Sequence, residues 1–393
     1  MSNIDSFKGQ TVLALANVIG MVDMVALPLW IGVLMQYYKY TPSQAGITVT
    51  LFLLGVVVSS VLFAPRFNRV PKRLITTVGF ALGAACFSTM YFSPVAAESF
   101  QKLAVLHVLA GLGVGSALTF IHGAMGRSKN PHRSWAISNV VLGVFAVVFL
   151  GGIPQLLLHV GPTVFFAVLA STMLFATVLV GLMFPTVADN TAKEQDITAI
   201  ANKAIPKAAW FIIAVIMCLT LNQAMVFSFV ERIGAERGFG IDRVNLVLIA
   251  LGLVNLTPGV LAAVLEKKWS PIAVGIAGPF GQAVLAVVMT SSLVFGFYAV
   301  SAALYVFMVI FTHTFLFGML SKLDASGRVA AATPAMMMIG SCIGPALGGT
   351  VVQNIGYPGL GWVACVVALI AMICMALGQR ALAAKSPAQL ANA

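Results

Sequence analysis

Acidic residues are scarce in this chain. It has 11 Asp and Glu among 393 residues, and charged residues of both signs make up only 8%. A soluble domain carries about 25%, so a water-facing globular surface is excluded. No Lys or Arg falls deep inside any long apolar stretch, and a single acidic residue, Asp23, does. The lack of buried cations argues against dianions or phosphate esters as ligands, because a bare anion in a low dielectric needs a partner. The five cysteines, Cys86, Cys218, Cys342, Cys365 and Cys374, are scattered without paired spacing. That excludes a disulfide framework and a zinc signature. There is no GxSxG, no HExxH and no Cys/His ligand spacing, so no catalytic residue, metal or cofactor is expected. The GLGVG of 111–115 lies inside an apolar run and reads as helix packing rather than a nucleotide loop.

Apolar length is what the chain does have. Hydrophobic residues make up 60%, and runs of 18 or more recur throughout, which marks a polytopic helical membrane protein. The runs place spans at 11–36, 44–65, 74–93, 101–125, 134–158, 162–184, 208–231, 243–266, 271–293, 296–321, 329–352 and 357–380. The first run is too long for a signal peptide and reads as a permanent span. With the N-terminus in the cytoplasm, all but five of the 22 Lys and Arg (Lys39, Lys102, Arg232, Arg237 and Arg243) lie on the cytoplasmic side. This positive-inside bias explains the net charge of +11 without nucleic acid. Both termini are then cytoplasmic, and the expected location is a plasma membrane, the inner one of a bacterium. Trp30, Trp135, Trp210, Trp269 and Trp362 fall near span ends, as an aromatic belt does.

The longest polar stretch, 185–207, separates six spans from six and reads as a cytoplasmic linker. The division is 1–184, 185–207 and 208–393. The halves resemble each other. At one constant offset Thr119-Phe120 matches Thr314-Phe315, Gly123 matches Gly318, and Val160-Gly161 matches Ile355-Gly356. A second offset sets Pro71 opposite Pro271 and Asp23 opposite Gln223. Internal repeats with a midplane site are a signature of secondary transporters.

Six plus six spans around a central linker resemble the major facilitator superfamily over essentially the whole chain. The loop APRFNRVPKR after span two resembles the family's Asp-Arg-x-Gly-Arg-Arg loop. Arg66 and Arg69 are kept, while Pro65 stands at the Asp and Asn68 at the Gly. In span four His107 stands where the family often has an Arg, four residues before Gly111. Asp23-Met-Val-Ala-Leu27-Pro28, followed by Tyr40-Thr-Pro-Ser-Gln-Ala-Gly46, is similar to the twelve-span drug:proton antiporters. Their Gly-x-x-x-Gly-Pro-x-x-Gly-Gly pattern, usual in span five, sits here in span eleven as Gly340, Gly344, Pro345, Gly348 and Gly349. These residues let helices approach closely and loosen local hydrogen bonding. The resemblance implies an all-α membrane protein of twelve transmembrane helices, arranged as two six-helix bundles related by pseudo-two-fold symmetry. It also implies a first-span carboxylate as a protonation site.

Asp23 lies roughly 18 Å into its span at 1.5 Å per residue. A charge at that depth costs about 3 kcal/mol on insertion scales, so it marks a functional site by default. Asp23 is expected to be the proton-coupling residue. His107 is the candidate partner, although counting residues puts it about 9 Å away along the membrane normal; the alternative is a His satisfied by a neighbouring carbonyl. Asn222 and Gln223 interrupt span seven and either bind substrate or join helices. His313 is a candidate substrate contact, with a packing role as the alternative. Helical spacing adds Trp30 to the face of Asp23, Phe227 to that of Gln223 and Phe317 to that of His313. His122, His132 and His159 read as uninvolved. An aromatic cavity with few polar anchors points to a small lipophilic or amphipathic compound. The expected function is proton-coupled secondary transport by a monomer in membrane lipid, with export by proton antiport as the main reading. The alternative is proton symport importing a small organic molecule such as an aromatic monoacid. A passive facilitator and an intramembrane enzyme rank below both.

Overall fold

Hydrocarbon offers the backbone no hydrogen-bond partners, so a chain this apolar closes its bonds within helices. The computed structural model describes residues 3–93, 99–187, 205–266, 268–323 and 333–383, with the backbone alone at 131, 132, 263 and 333–335. Among the described residues, twelve helical spans are long and apolar enough to cross a membrane. Spans one to six are Phe7–Gln36, Pro42–Arg66, Lys72–Phe92, Phe100–Gly126, Arg133–His159 and Val164–Met183. Spans seven to twelve are Lys207–Glu236, Ile241–Ala262, Pro271–Ser291, Phe295–Leu323, Met336–Ile355 and Tyr357–Ala383. The protein is thus an all-α membrane protein, and each span overlaps the run read from the sequence. Most of the expected linker, and the side chain of His132, lie outside the described residues.

Local chemistry sets where helices begin. Thr41 caps span two in a reciprocal box: its Oγ1 accepts from Gln44 N at 3.2 Å, and Gln44 Oε1 accepts from Thr41 N at 3.0 Å. Pro42 follows at the position where a missing N–H costs nothing. Among the described residues, three spans are interrupted along their length. Span one divides at Met21–Val22 into Phe7–Gly20 and Asp23–Gln36. Span seven divides at Ser228–Phe229 into Lys207–Phe227 and Val230–Glu236. Span eight divides before Pro258, which cannot continue the ladder of Ile241–Val254.

Packing groups the chain into two compact units. The first is Met1–Asp189 with Ser228–Leu253 and Pro345–Gln353; the second is Asn190–Phe227 with Val254–Gly344 and Asn354–Ala393. In the first unit, span four lies against span two, and the glycines read as packing residues make this possible: a Cβ on Gly115 would stand 2.5 Å from Val56 Cα. Arg73 ties span three to span six by donating from Nε to Gly181 O at 2.7 Å. In the second unit span nine lies against spans ten and twelve, as span three lies against four and six, so the repeat seen in sequence recurs in packing. Span eleven approaches span seven at the displaced glycine motif. A Cβ on Gly344 would stand 2.6 Å from Ala224 Cβ and 2.7 Å from Met225 N, and Gly340 faces Thr220 and Met217 equally closely.

Trp30 corrects the aromatic-belt reading. It is fully buried, with its ring centroid 5.2 Å from Phe52 and 5.8 Å from both Phe87 and Phe165. Trp210, Trp269 and Trp362 are exposed, as belt residues are. The reason is its partners: six residues before the end of span one, Trp30 packs into this ring cluster and its indole N–H is taken by His107.

Gly344→Val forces atoms into the span seven backbone. It is expected to destabilise the purified protein by about 1–3 kcal/mol, read as a lowered Tm. Gly259→Ala, at a position with open space around it, is expected to stay within about 0.5 kcal/mol.

Candidate functional site

Asp23 opens the second half-helix of span one. It is 1% exposed, and neither carboxyl oxygen has a hydrogen-bond partner. The break provides the setting. A helix N-terminus presents unpaired N–H groups and a partial positive charge, and the N–H groups of Asp23 and Met24 act on the carboxyl. Pro28, one turn on, cannot donate to the carbonyl of Met24 and loosens the same segment. Interrupted helices of this kind hold ion and substrate sites in transporters.

His107 is fully buried, and both of its ring nitrogens are engaged away from Asp23. Trp30 Nε1 donates to His107 Nε2 at 3.1 Å, and His107 Nδ1 stands 2.7 Å from Leu103 O. A carbonyl only accepts, so the proton sits on Nδ1 and Nε2 is free to receive the indole N–H. The structure therefore joins Trp30 to His107, in the carbonyl-satisfied arrangement. His122, read as uninvolved, belongs to a polar chain across spans four, one and five. Its Nε2 lies 2.7 Å from Asn17 Oδ1, and Asn17 Nδ2 donates to Ser138 Oγ at 2.7 Å. His159 is exposed.

The loop after span two is held without the family's acidic residue. Phe67 is buried and stacks on Phe120 at 5.5 Å, with the Arg127 guanidinium 3.9 Å and Lys72 Nζ 5.1 Å from its ring centroid. Arg66 Nη1 donates to Leu62 O, and Arg66 and Arg69 are both exposed. Cations over an aromatic face contribute about 0.5–1 kcal/mol each at exposed sites.

In the second unit Asn222 joins helices. Its Nδ2 donates to Ala364 O at 3.0 Å, and its own carbonyl accepts from Tyr305 Oη at 2.7 Å. Gln282, from span nine, donates to Leu219 O at 3.1 Å. Tyr305 and Gln282 cannot be singled out in the sequence, because a lone Tyr or Gln in a span has no distinguishing spacing. Gln223 is half-buried, and Phe227 is buried. His313 stacks on Phe317 with centroids 4.9 Å apart and an interplanar angle of 19°, and its Nδ1 has no partner.

The structure adds a second buried carboxyl that the sequence reading missed. Glu231 is the last residue of the expected seventh span, but the helix continues to Glu236 and Glu231 is 9% exposed. The sequence carries little signal for it: Glu231-Arg232 looks like a polar boundary, and only Ile233-Gly234-Ala235 separate it from Glu236-Arg237. Among the described residues, no group of three or more His, Cys, Asp or Glu is placed to hold a metal.

Trp30→Phe keeps the ring cluster and removes only the indole donor, leaving His107 Nε2 buried without a partner. The expected cost is about 1–3 kcal/mol, measured as a Tm loss in the purified protein.

Residues 12–333 match the Major Facilitator Superfamily. No curated protein matches the sequence. The fold is similar to that of a crystal structure of a D-xylose–proton symporter, with a TM-score of 0.69 and 15% identity over 95% of this chain and 97% of that one. It is also similar to the xylose transporter XylE from E. coli in a partially occluded inward-open conformation, with a TM-score of 0.72 and 14% identity over 94% and 96%. At this identity the likeness is one of fold. These similarities reach the superfamily and do not support the narrower resemblance to drug:proton antiporters. Twelve membrane-crossing helices and a match over most of the sequence make this chain a transporter rather than an enzyme, and it belongs to the Major Facilitator Superfamily.

Proposed function

We propose that this protein is a proton symporter that takes up a small organic molecule by alternating access, with Asp23 as the residue that binds and releases the driving proton. One observation carries the reading: Asp23 is buried, without a hydrogen-bond partner, where span one is interrupted. A lone carboxylate ion is costly in that place unless it is paired. It becomes acceptable when it holds a proton or when water reaches it. A conformational change that alternates these two conditions couples proton binding to movement. Symport is preferred to the export expected from the span-one motif because a protein sharing the fold is a D-xylose–proton symporter, while nothing beyond the motif speaks for export.

On the second unit, Gln223, His313 and Phe317 are the proposed substrate contacts. Gln223 has an amide that is not fully buried, and His313 keeps a free Nδ1 on a ring backed by Phe317. This favours a compound with an aromatic or flat apolar face and one or two polar groups. Asn222 is proposed to hold the helices in place around these residues, and Trp30 and His107 to hold those of the first unit. The proposed setting is a bacterial inner membrane with both termini in the cytoplasm.

The test is transport into proteoliposomes of D-xylose, aromatic monoacids and neutral aromatics, with internal pH recorded at the same time. Protons entering with a compound are the expected result; protons leaving as it enters would establish antiport instead. Asp23→Asn is expected to abolish uphill accumulation while leaving downhill exchange within about twofold. Full uphill transport by that variant overturns the assignment of Asp23. Gln223→Ala removes a contact made to the compound alone. It is expected to raise KM roughly tenfold, the loss of about one hydrogen bond, without changing the number of protons moved per molecule.

A further inference from the structure

Glu231 lies on the short helix that ends span seven and reaches the end of span one within the first unit. Its seat is Gly32. A Cβ on that glycine would stand 2.6 Å from Glu231 Oε2, so the carboxyl occupies space that any side chain at position 32 would take. Oε2 has no hydrogen-bond partner, and neither does Asn245 Nδ2 on span eight. Both residues line one small cleft together with Gly32, Gln36 and Tyr37 of span one and Pro154 of span five. The cleft volume is about 30 Å³, room for about one water and not for an organic molecule.

The surroundings select the ligand. Tyr37 is the titratable group on the span-one side, with Lys39 beyond it donating to Gln36 O at 2.8 Å. Arg232 follows on the same helix and acts on Glu231 through space. Asp242 and Arg243 lie at the exposed start of span eight, and His159 is exposed at the end of span five. The ion pair of Lys322 with Glu266 lies elsewhere in the molecule. One carboxyl supplies too few oxygens for a metal cation, and the unpaired N–H₂ of Asn245, which lines the same cleft, disfavours one. A proton needs only the carboxyl.

We propose that Glu231 is a second proton-binding site. With its proton it is neutral and rests in the Gly32 notch, holding the end of span seven against the end of span one. Without its proton the carboxylate keeps an unbonded Oε2 in a buried notch, so it draws water into the cleft and the two helix ends separate. The loss of one O–H proton to water is the whole chemical step. This goes beyond the coupling role given to Asp23, since it concerns contact between helix ends and holds for whatever compound is carried.

The test uses the full chain in lipid nanodiscs, with its five native cysteines replaced by alanine and one cysteine introduced as Val33→Cys, a buried position that lines the cleft. Its labelling by a polar maleimide is followed against pH and divided by that of Gln101→Cys, an exposed position, to remove the pH dependence of the thiol itself. The expected result is a normalised rate that rises roughly tenfold over about two pH units, and a slow, pH-independent rate in Glu231→Gln. Gly32→Ala fills the notch and is expected to label fast at every pH, which keeps the test open if Glu231→Gln fails to fold. An unchanged pH response in Glu231→Gln, or slow labelling in Gly32→Ala, overturns the proposal. The series is repeated with Asp23→Asn. Persistence of the response there supports Glu231. Loss of the response there, with survival in Glu231→Gln, assigns it to Asp23 and overturns the second site while leaving the coupling role of Asp23 standing.

Discussion

A polar group inside hydrocarbon has no water to fall back on, and the organisation of this protein follows from that constraint. It makes the backbone of the twelve described spans helical save for short breaks in spans one, seven and eight, and keeps lysine and arginine out of the span centres. It also obliges the interior side chains to find one another. Trp30, His107 and the Leu103 carbonyl form one closed set; Asn17, His122 and Ser138 form another; Asn222 is used from both its side chain and its backbone. Each set crosses between helices, so the cost of burying polarity is offset by fixing how helices meet.

Against that background the groups left over stand out. Asp23, Glu231 and His313 are among the buried groups that carry atoms with no partner, as are the amides of Asn222, Asn245 and Gln282. Asp23 and Glu231 also sit on the short half-helices that follow breaks in spans one and seven. A break frees backbone groups and shortens the rigid element, so a side chain there moves with less of the helix than one in an unbroken span. In the roles proposed for Asp23 and Glu231, a proton-accepting group on such a segment ties a small change of charge to a movement of helix ends.

Much of this is legible in the residues. Length and apolar runs locate all twelve spans, because the bilayer sets a minimum helix length that soluble cores do not need. Asp23 is legible because it stands alone in an apolar run. The glycine motif is legible in kind, and its displacement to span eleven shows where it is used. Matters of pairing cannot be read in this way. Nothing in the spacing says that His107 bonds to Trp30 rather than facing Asp23, since that depends on how spans one and four are rotated. Glu231 is hidden by its neighbour Arg232, which makes a buried residue look like the edge of a span. The breaks in spans one and seven carry no proline at the break itself, and Gly20 beside the first is one of many glycines in the chain, so spacing alone does not locate them.

The loop after span two bears on this from another direction. Where the family keeps an aspartate, this chain has Pro65, and Phe67 is instead held beneath Arg127 and Lys72. An aromatic face has no acid to titrate. The attraction of a guanidinium for a benzene ring is the same on the acidic and the alkaline side of a membrane, whereas a carboxylate latch weakens as protons accumulate. This clasp is therefore indifferent to pH, and under the roles proposed for Asp23 and Glu231 it keeps its grip while those two buried carboxyls change theirs.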